Sequence, residues 1–286
     1  MPLLCTLCAM LQHPFLPQSL YCVIGWPLEQ SLSPLVHNYG FQTLGIPATY
    51  LKFPIPESKV ENFVNAMRIL PIAGASVTIP YKRTVIPYLD GCTPIARMIG
   101  AVNTLFWDKG RLLGDNTDIT GFLEPLQSYN LSRLRVGILG AGGAARAALA
   151  ALTMHKPKQI FIATPSNHRH IKLCEEFGAS PVAWEDIYAN EVDLLVNATP
   201  MGMHGHFANQ TPFDFSKAEF EVKIAYDIVY NPVKTRFLED AAAHGAQTIS
   251  GIRMFFGQAK AQFALWTDKV LPHEAFEALQ SALNDK

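Results

Sequence analysis

Val136-Gly-Ile-Leu-Gly-Ala-Gly-Gly-Ala-Ala-Arg146 is the stretch on which the reading of the chain turns. A short apolar strand, Leu134 to Leu139, runs into Gly140, Gly142 and Gly143. An alanine-rich helix follows, with Ala145, Ala148, Leu149 and Leu152 recurring at helical spacing. Glycine lets the backbone turn tightly and approach a ligand closely. The unpaired N–H groups at the helix start then suit a pyrophosphate. Ala145 stands where such a fingerprint takes a third glycine or an alanine, so that helix and strand pack closely. The pattern alone also fits a plain strand–helix turn; its flanking strand and helix favour a dinucleotide site.

Composition narrows the class. The 286 residues are 49% hydrophobic and 16% charged, which supports a large buried core and room for two domains. A net charge of −1 argues against a nucleic-acid binder, which carries a basic face. The five cysteines, Cys5, Cys8, Cys22, Cys92 and Cys174, are scattered and make no disulfide framework, so a reducing cytoplasm is expected. Residues 1–20 are apolar, but no Lys or Arg precedes Lys52, so the charged start of a signal peptide is missing. They are expected to be an N-terminal extension. No run reaches the roughly 18–20 apolar residues of a membrane span.

The elements place the polar residues. A strand from Leu20 to Ile24 leads to a loop bearing Ser31 and Ser33, and Pro34 opens a helix, with Ser33 fitting its N-cap. Strands are expected over Ala48–Phe53 and Ile72–Ile79, with an amphipathic helix over Glu57–Leu70 between them. Pro80 reads as a helix opener, which sets Lys82 in a first turn, the unfavourable end for a cation. A strand over Ile99–Trp107 carries Asn103 and forms a hairpin ending in Asp115-Asn-Thr-Asp118, ahead of a helix over Gly121–Tyr129. After the strand Gln159–Ala163 there is no acid to bind a ribose 2′-hydroxyl before Glu175. Thr164, Ser166, His168, Arg169 and His170 stand there instead, and suit a 2′-phosphate better, hence NADP over NAD; a solvated helix face is the plainer reading of the cations. The loop Ala198-Thr-Pro-Met-Gly-Met203 suits a nicotinamide pocket. His204 and His206 have no ligand partners nearby, so no metal is expected. Helices from Gly251 and over Pro272–Leu283 close the chain.

In this order the motifs resemble the shikimate dehydrogenase family. They are Ser31-Leu-Ser33, Val77-Thr-Ile-Pro-Tyr-Lys82, Gly100-Ala-Val-Asn-Thr104, Gly114-Asp-Asn-Thr-Asp118, Gly140-Ala-Gly-Gly-Ala-Ala-Arg146, Asn197-Ala-Thr-Pro-Met-Gly202, Asp227-Ile-Val-Tyr-Asn-Pro232 and Gly251-Ile-Arg-Met254 with Gln258. The resemblance implies NADPH-dependent reduction of 3-dehydroshikimate to shikimate, a small-molecule step on the chorismate route to aromatic amino acids. Lys82 and Asp118 would be the catalytic pair. Ser31 and Ser33 would hold the substrate carboxylate, and Thr78, Asn103, Tyr230 and Gln258 would line its ring. Gly140, Ala141, Gly142, Gly143 and Ala144 would hold the pyrophosphate, and Thr164, His168 and Arg169 the 2′-phosphate. Thr199, Met201, Ile228 and Gly251 would complete the cofactor site, with Met254 near the nicotinamide.

The implied architecture is α/β with two domains. Residues 1–118, completed by C-terminal helices over 252–286, form the substrate-binding domain; 119–251 form a Rossmann-type domain. A homodimer is compatible with this. The chain departs from the family's pattern at two points: Ser76 replaces a frequent Asn, and Ala163-Thr164-Pro165 replaces the Asn-Arg-Thr of NADP-specific members. These keep open a quinate/shikimate dehydrogenase using NAD or both cofactors. A ligand-sensing protein without turnover and a folate dehydrogenase are the remaining alternatives.

Overall fold

The computed structural model describes residues 17–165 and 168–284; the expected extension falls almost wholly outside them. The chain makes two six-stranded sheets, each assembled from one stretch of sequence. The first holds β1 (Ser19–Gly25), β2 (Ala48–Pro54), β3 (Ile72–Val77), β4 (Gly91–Cys92), β5 (Thr104–Asp108) and β6 (Arg111–Asp115) in the order β2-β1-β3-β5-β6-β4. The strands β2, β1 and β3 are parallel, and β5 runs antiparallel to both β3 and β6. The second holds β7 (Arg135–Leu139), β8 (Gln159–Ala163), β9 (Ser180–Pro181), β10 (Leu194–Asn197), β11 (Ile224–Asp227) and β12 (Gln247–Ile249), all parallel, in the order β12-β11-β10-β7-β8-β9. Counted from β7, this is the doubly wound order 3-2-1-4-5-6 that binds dinucleotides where the strand order reverses.

The apolar runs explain the second sheet. Strands covered by helices on both faces read as continuous hydrophobic segments, and Leu194, Leu195 and Val196 of β10 are wholly buried. The helix α5 (Gly143–Met154) packs with Leu194 and Val196, Leu195 facing the core on the other side, and it buries Ala145, Ala147, Ala148, Leu149, Ala150, Ala151 and Leu152. Its small side chains let it approach closely. At the opposite rim Asp193 draws the starts of β7, β10 and β11 together. It accepts from Arg135 Nε at 3.0 Å, Arg135 Nη2 at 3.1 Å and Lys223 Nζ at 2.8 Å. The Arg135 guanidinium holds the Asp193 carboxyl well below the usual range.

The first sheet is covered by α1 (Ser33–Thr43), α2 (Val60–Met67) and two C-terminal helices, α8 (Gly251–Thr267) and α9 (Glu274–Asn284). Val36 and Phe41 pack with Phe263, Leu271, Ala275 and Leu279, so the chain's end returns to its beginning. A shorter helix, α4 (Asp118–Leu123), crosses α8 closely: a Cβ at Gly121 would meet the Met254 carbonyl, and one at Gly257 the Glu124 carboxylate.

Four local expectations change. Lys82 is in no helix; residues 80–85 are a run of turns. The Lys82 carbonyl accepts from Val102 N–H at 2.7 Å, so it is taken by a distant segment, while isolated turn bonds such as Val85 N–H to the Tyr81 carbonyl at 3.1 Å hold the rest. The strand expected from Ile99 starts at Thr104, because Thr93 caps α3 (Pro94–Ile99) and Gly100, at φ 67°, stops it. The helix expected over Gly121–Tyr129 starts at Asp118 and gives way at Glu124, with Pro125 following. Ser33 lies inside α1 and does not cap it.

Candidate active site

The strand directions gather the polar residues. The parallel strands β1 and β3 end at the same rim, and the antiparallel β5 starts there. That rim carries Ser31 and Ser33 after β1, Thr78 and Lys82 after β3, Asn103 before β5 and Asp118 after β6. The Ser33 main-chain N–H and the two hydroxyls cluster, with Ser31 Oγ 3.4 Å from both Ser33 Oγ and Ser33 N. Thr78 continues the β3 ladder through its N–H to the Ile24 carbonyl at 2.9 Å.

Lys82 and Asp118 meet: Nζ donates to Oδ2 at 2.5 Å, with the two side chains 15% and 8% exposed. Asp118 Oδ1 accepts from Asn103 Nδ2 at 2.8 Å. Asn116 Oδ1 accepts the Asp118 N–H at 3.1 Å, and Asn116 Nδ2 donates to the Ala101 carbonyl at 3.0 Å. The pair is thus fixed from three sides, and the polar cluster 115–118 does more than cap a helix.

The second sheet opens toward this pair. Gly140 turns at φ 113°, where a Cβ would meet the Ala198 carbonyl at 2.7 Å. Gly142 caps α5 without any side-chain bond, so the first N–H groups of the helix stay available. A Cβ on Gly143 would lie 3.5 Å from Lys82 Cδ, so the lysine stem runs beside the glycine loop.

A cavity of about 750 Å³ extends from this loop. Gly140, Ala141, Gly142, Gly143, Ala144, Thr164, Thr199, Met201 and Ile228, each expected in the cofactor site, are on its wall, and so is Tyr230, which was expected at the substrate ring. Thr199 is held by Asn197 Oδ1, which accepts from its N–H at 2.9 Å and its hydroxyl at 2.7 Å. Tyr230 stacks on Phe255 with ring centroids 4.5 Å apart and donates to the Gln30 carbonyl at 3.4 Å.

The cavity and its surroundings fit a phosphorylated dinucleotide. Uncapped helical N–H groups match a pyrophosphate. At the end of β8, Thr164 and Pro165 bring no carboxylate that would repel a 2′-phosphate. Thr164 Oγ1 lies 3.0 Å from Nδ1 of the buried His170.

Other expected residues stand apart from the wall. His168 is exposed at the start of α6 (Arg169–Phe177). The side chain of Arg169 and all of Ser166 lie outside the described residues. Met254 is buried in the core that also holds Phe122 and Tyr226. Gly251 lies against the Ile228 carbonyl, where a Cβ would not fit. Gln258 donates from Nε2 to the Phe255 carbonyl at 2.9 Å.

Residues 23–105 match the family model of the shikimate dehydrogenase substrate binding domain. A shikimate dehydrogenase (NADP(+)) from Oleidesulfovibrio alaskensis is 46% identical over 269 residues, covering 93% of this chain and 96% of that one. The chain belongs to the shikimate dehydrogenase family. Among solved family members, shikimate 5-dehydrogenase from Thermus thermophilus in complex with NADP(H) and shikimate superposes with a TM-score of 0.84. The two are 33% identical, over 93% of this chain and 100% of that one. Shikimate 5-dehydrogenase from Listeria monocytogenes in complex with shikimate and NAD gives 0.82 at 30% identity, over 91% and 96%.

Within this shikimate dehydrogenase fold, further residues join the site. Gln30, Ile79, His204 and Phe207 line the cavity, beside Met203 of the loop expected there. Their only signal in the sequence is a place in a loop that follows a strand. Gln262 carried a clearer signal: a polar residue set between Ala259 and Phe263 of a buried helical stripe.

Proposed function

We propose that the chain is an NADP-dependent shikimate dehydrogenase, reducing 3-dehydroshikimate to shikimate and reversing the reaction. The observation that carries this is the Lys82–Asp118 pair, 2.5 Å apart, standing beside the glycine loop of a dinucleotide cavity. NADPH supplies the hydride that reaches the ring carbonyl carbon. Lys82 Nζ gives the proton that turns the carbonyl oxygen into the hydroxyl, and takes it back in the oxidative direction. Asp118 accepts from Lys82 and points Nζ at that oxygen; such a positioned acid–base group contributes typically about 10²–10⁴-fold. Ser31 and Ser33 bind the carboxylate through neutral donors, and Thr78, Asn103, Tyr230 and Gln258 line the ring. The glycine loop binds the pyrophosphate, Thr164 with His168 and Arg169 the 2′-phosphate, and Thr199, Met201, Ile228, Gly251 and Met254 the nicotinamide side.

The domain division belongs to the same proposal: 1–118 with 252–286 around the first sheet, and 119–251 around the second. The support is that β1–β6 and β7–β12 form separate sheets and that α8 and α9 pack on α1. The enzyme would work in the cytoplasm; no described helix is long and apolar enough to cross a membrane. A homodimer would use the rim opposite the site, where Leu44, Ile69 and Leu70 are exposed ahead of β2 and β3; light scattering tests it.

The deciding experiment is the initial rate with shikimate, following reduced nicotinamide, with NADP and NAD in parallel. Rapid turnover with NADP supports the reading. Turnover only with quinate, or none, overturns it. Turnover mainly with NAD keeps the chemistry and overturns the cofactor assignment.

A further inference from the structure

Behind Asp118 the hydrogen bonds continue away from the reacting atoms along a buried path. The Tyr50 hydroxyl donates to Ser76 Oγ at 2.6 Å, and Ser76 donates to Gln262 Oε1 at 2.8 Å. Gln262 Nε2 donates to Thr104 Oγ1 at 2.9 Å and to the Asn103 carbonyl at 3.1 Å. Thr104 then donates to Asn103 Oδ1 at 2.7 Å, and Asn103 Nδ2 reaches Asp118. Tyr50, Ser76, Gln262, Thr104, Asn103 and Asp118 are all buried.

We propose that Gln262 is a positioning residue for the dehydrogenase reaction, its amide acting through Thr104, together with the Thr117 main-chain N–H, to hold the direction in which the Asn103 amide faces Asp118. The inference rests on the function proposed above. A main-chain carbonyl only accepts, so the Asn103 carbonyl requires the nitrogen end of Gln262. With that end placed, Thr104 Oγ1 receives a proton from Gln262, and its own single proton goes to Asn103 Oδ1. That oxygen also accepts the Thr117 N–H at 2.8 Å. Asn103 must then present Nδ2 to Asp118 Oδ1, the carboxylate whose Oδ2 accepts from Lys82. At the other end Ser76, receiving from Tyr50, spends its proton on Gln262 Oε1. Both ends of the Gln262 amide are therefore specified.

The path is not a proton conduit. Burial pushes the Tyr50 hydroxyl far up from its ordinary value. His37 stacks on the Tyr50 ring at 4.6 Å and is held neutral by burial, at about 3. Neither Tyr50 nor His37 exchanges a proton near neutral pH, so the path serves orientation.

The test takes Gln262→Met, which keeps volume and removes both amide ends, with Thr104→Val and Thr104→Ser at the next link. Each is assayed in the full-length enzyme for kcat and for KM of shikimate and NADP. Gln262→Met and Thr104→Val are expected to lower kcat about tenfold to a hundredfold with both KM values within about twofold, as small misplacements of reacting groups do. Thr104→Ser, which keeps the hydroxyl, is expected to retain kcat, and the Gln262→Met/Thr104→Val double variant to be no slower than the slower single one. If Gln262→Met does not fold, the Val–Ser contrast at 104 decides. Unchanged kcat in Gln262→Met, or equal losses in Thr104→Val and Thr104→Ser, overturns the inference while an active wild-type enzyme leaves the proposed function standing. A wild-type enzyme inactive with shikimate overturns both.

Discussion

Asp118 divides its two carboxylate oxygens between Lys82 and Asn103: Oδ2 accepts the ammonium at 2.5 Å and Oδ1 the amide at 2.8 Å. One carboxylate thus aims the proton carrier while being aimed itself. Lys82→Met is expected to lower kcat by about 10²–10⁴-fold with little change in KM, since the proton transfer is lost and the ring contacts remain. Asp118→Asn is expected to cost a similar factor. Because the two act as one unit, the double variant should be close to the slower single variant. Steady-state kinetics of the three proteins checks this, and multiplicative losses would show independent roles.

The glycine loop gives a second expectation. Gly140→Ala places a Cβ 2.7 Å from the Ala198 carbonyl on a backbone with φ 113°. Strained backbone of this kind costs of the order of 1–3 kcal/mol. The substitution is expected to lower Tm and raise KM for NADP at least about tenfold, with KM for shikimate less affected. Isothermal titration with NADP compares the two proteins; equal affinities would remove this loop from the cofactor site.

What the sequence revealed follows from physics. The second sheet was legible because β7, β8 and β10 are buried on both faces and therefore read as unbroken apolar runs. Family order exposed the Lys82–Asp118 pair, but its local geometry was hidden. Pro80 signals a helix start, yet Val102 takes the Lys82 carbonyl, a bond between residues 20 apart that no local rule foresees. Ile99 looked like the start of a strand because Gly100 ends a short helix whose cap, Thr93, precedes a Pro-Ile-Ala run with little polarity. Loop residues such as Gln30 and His204 reach the cavity only through tertiary folding. Gln262 was visible as a polar residue in an apolar stripe, but its partners, Ser76 and Thr104, lie more than 150 residues away.

Cofactor choice turns on the end of β8. Thr164 is on the cavity wall, with its hydroxyl 3.0 Å from the buried His170. Thr164→Val keeps the shape and removes the hydroxyl. One hydrogen bond to a charged group contributes about 1.5–3 kcal/mol, so kcat/KM for NADP is expected to fall about tenfold or more. The value for NAD should stay nearly constant, narrowing the ratio between them. If both fall equally, Thr164 supports the fold of the loop rather than the 2′-phosphate.

Asp227 carries the clearest pH effect on stability. It lies at the end of β11, fully buried, and accepts from Thr235 Oγ1 at 2.5 Å, Val229 N at 2.9 Å and Asn197 Nδ2 at 3.0 Å. Burial outweighs these three donors and pushes its carboxyl up to about 7. An unfolded chain titrates the same group near about 3.9. Between those values the folded protein holds a proton that the unfolded chain has released. The resulting stability is full below about pH 4 and is lost as pH rises through about 7, a difference of roughly 4 kcal/mol. Asp227→Asn resembles the protonated form at every pH. The variant is expected to match the wild type near about pH 4 and to exceed it increasingly above that, by up to the full amount once the pH is past about 8. Urea unfolding midpoints across this range measure the difference. Parallel curves for the two proteins would mean that the three donors keep Asp227 ionised throughout.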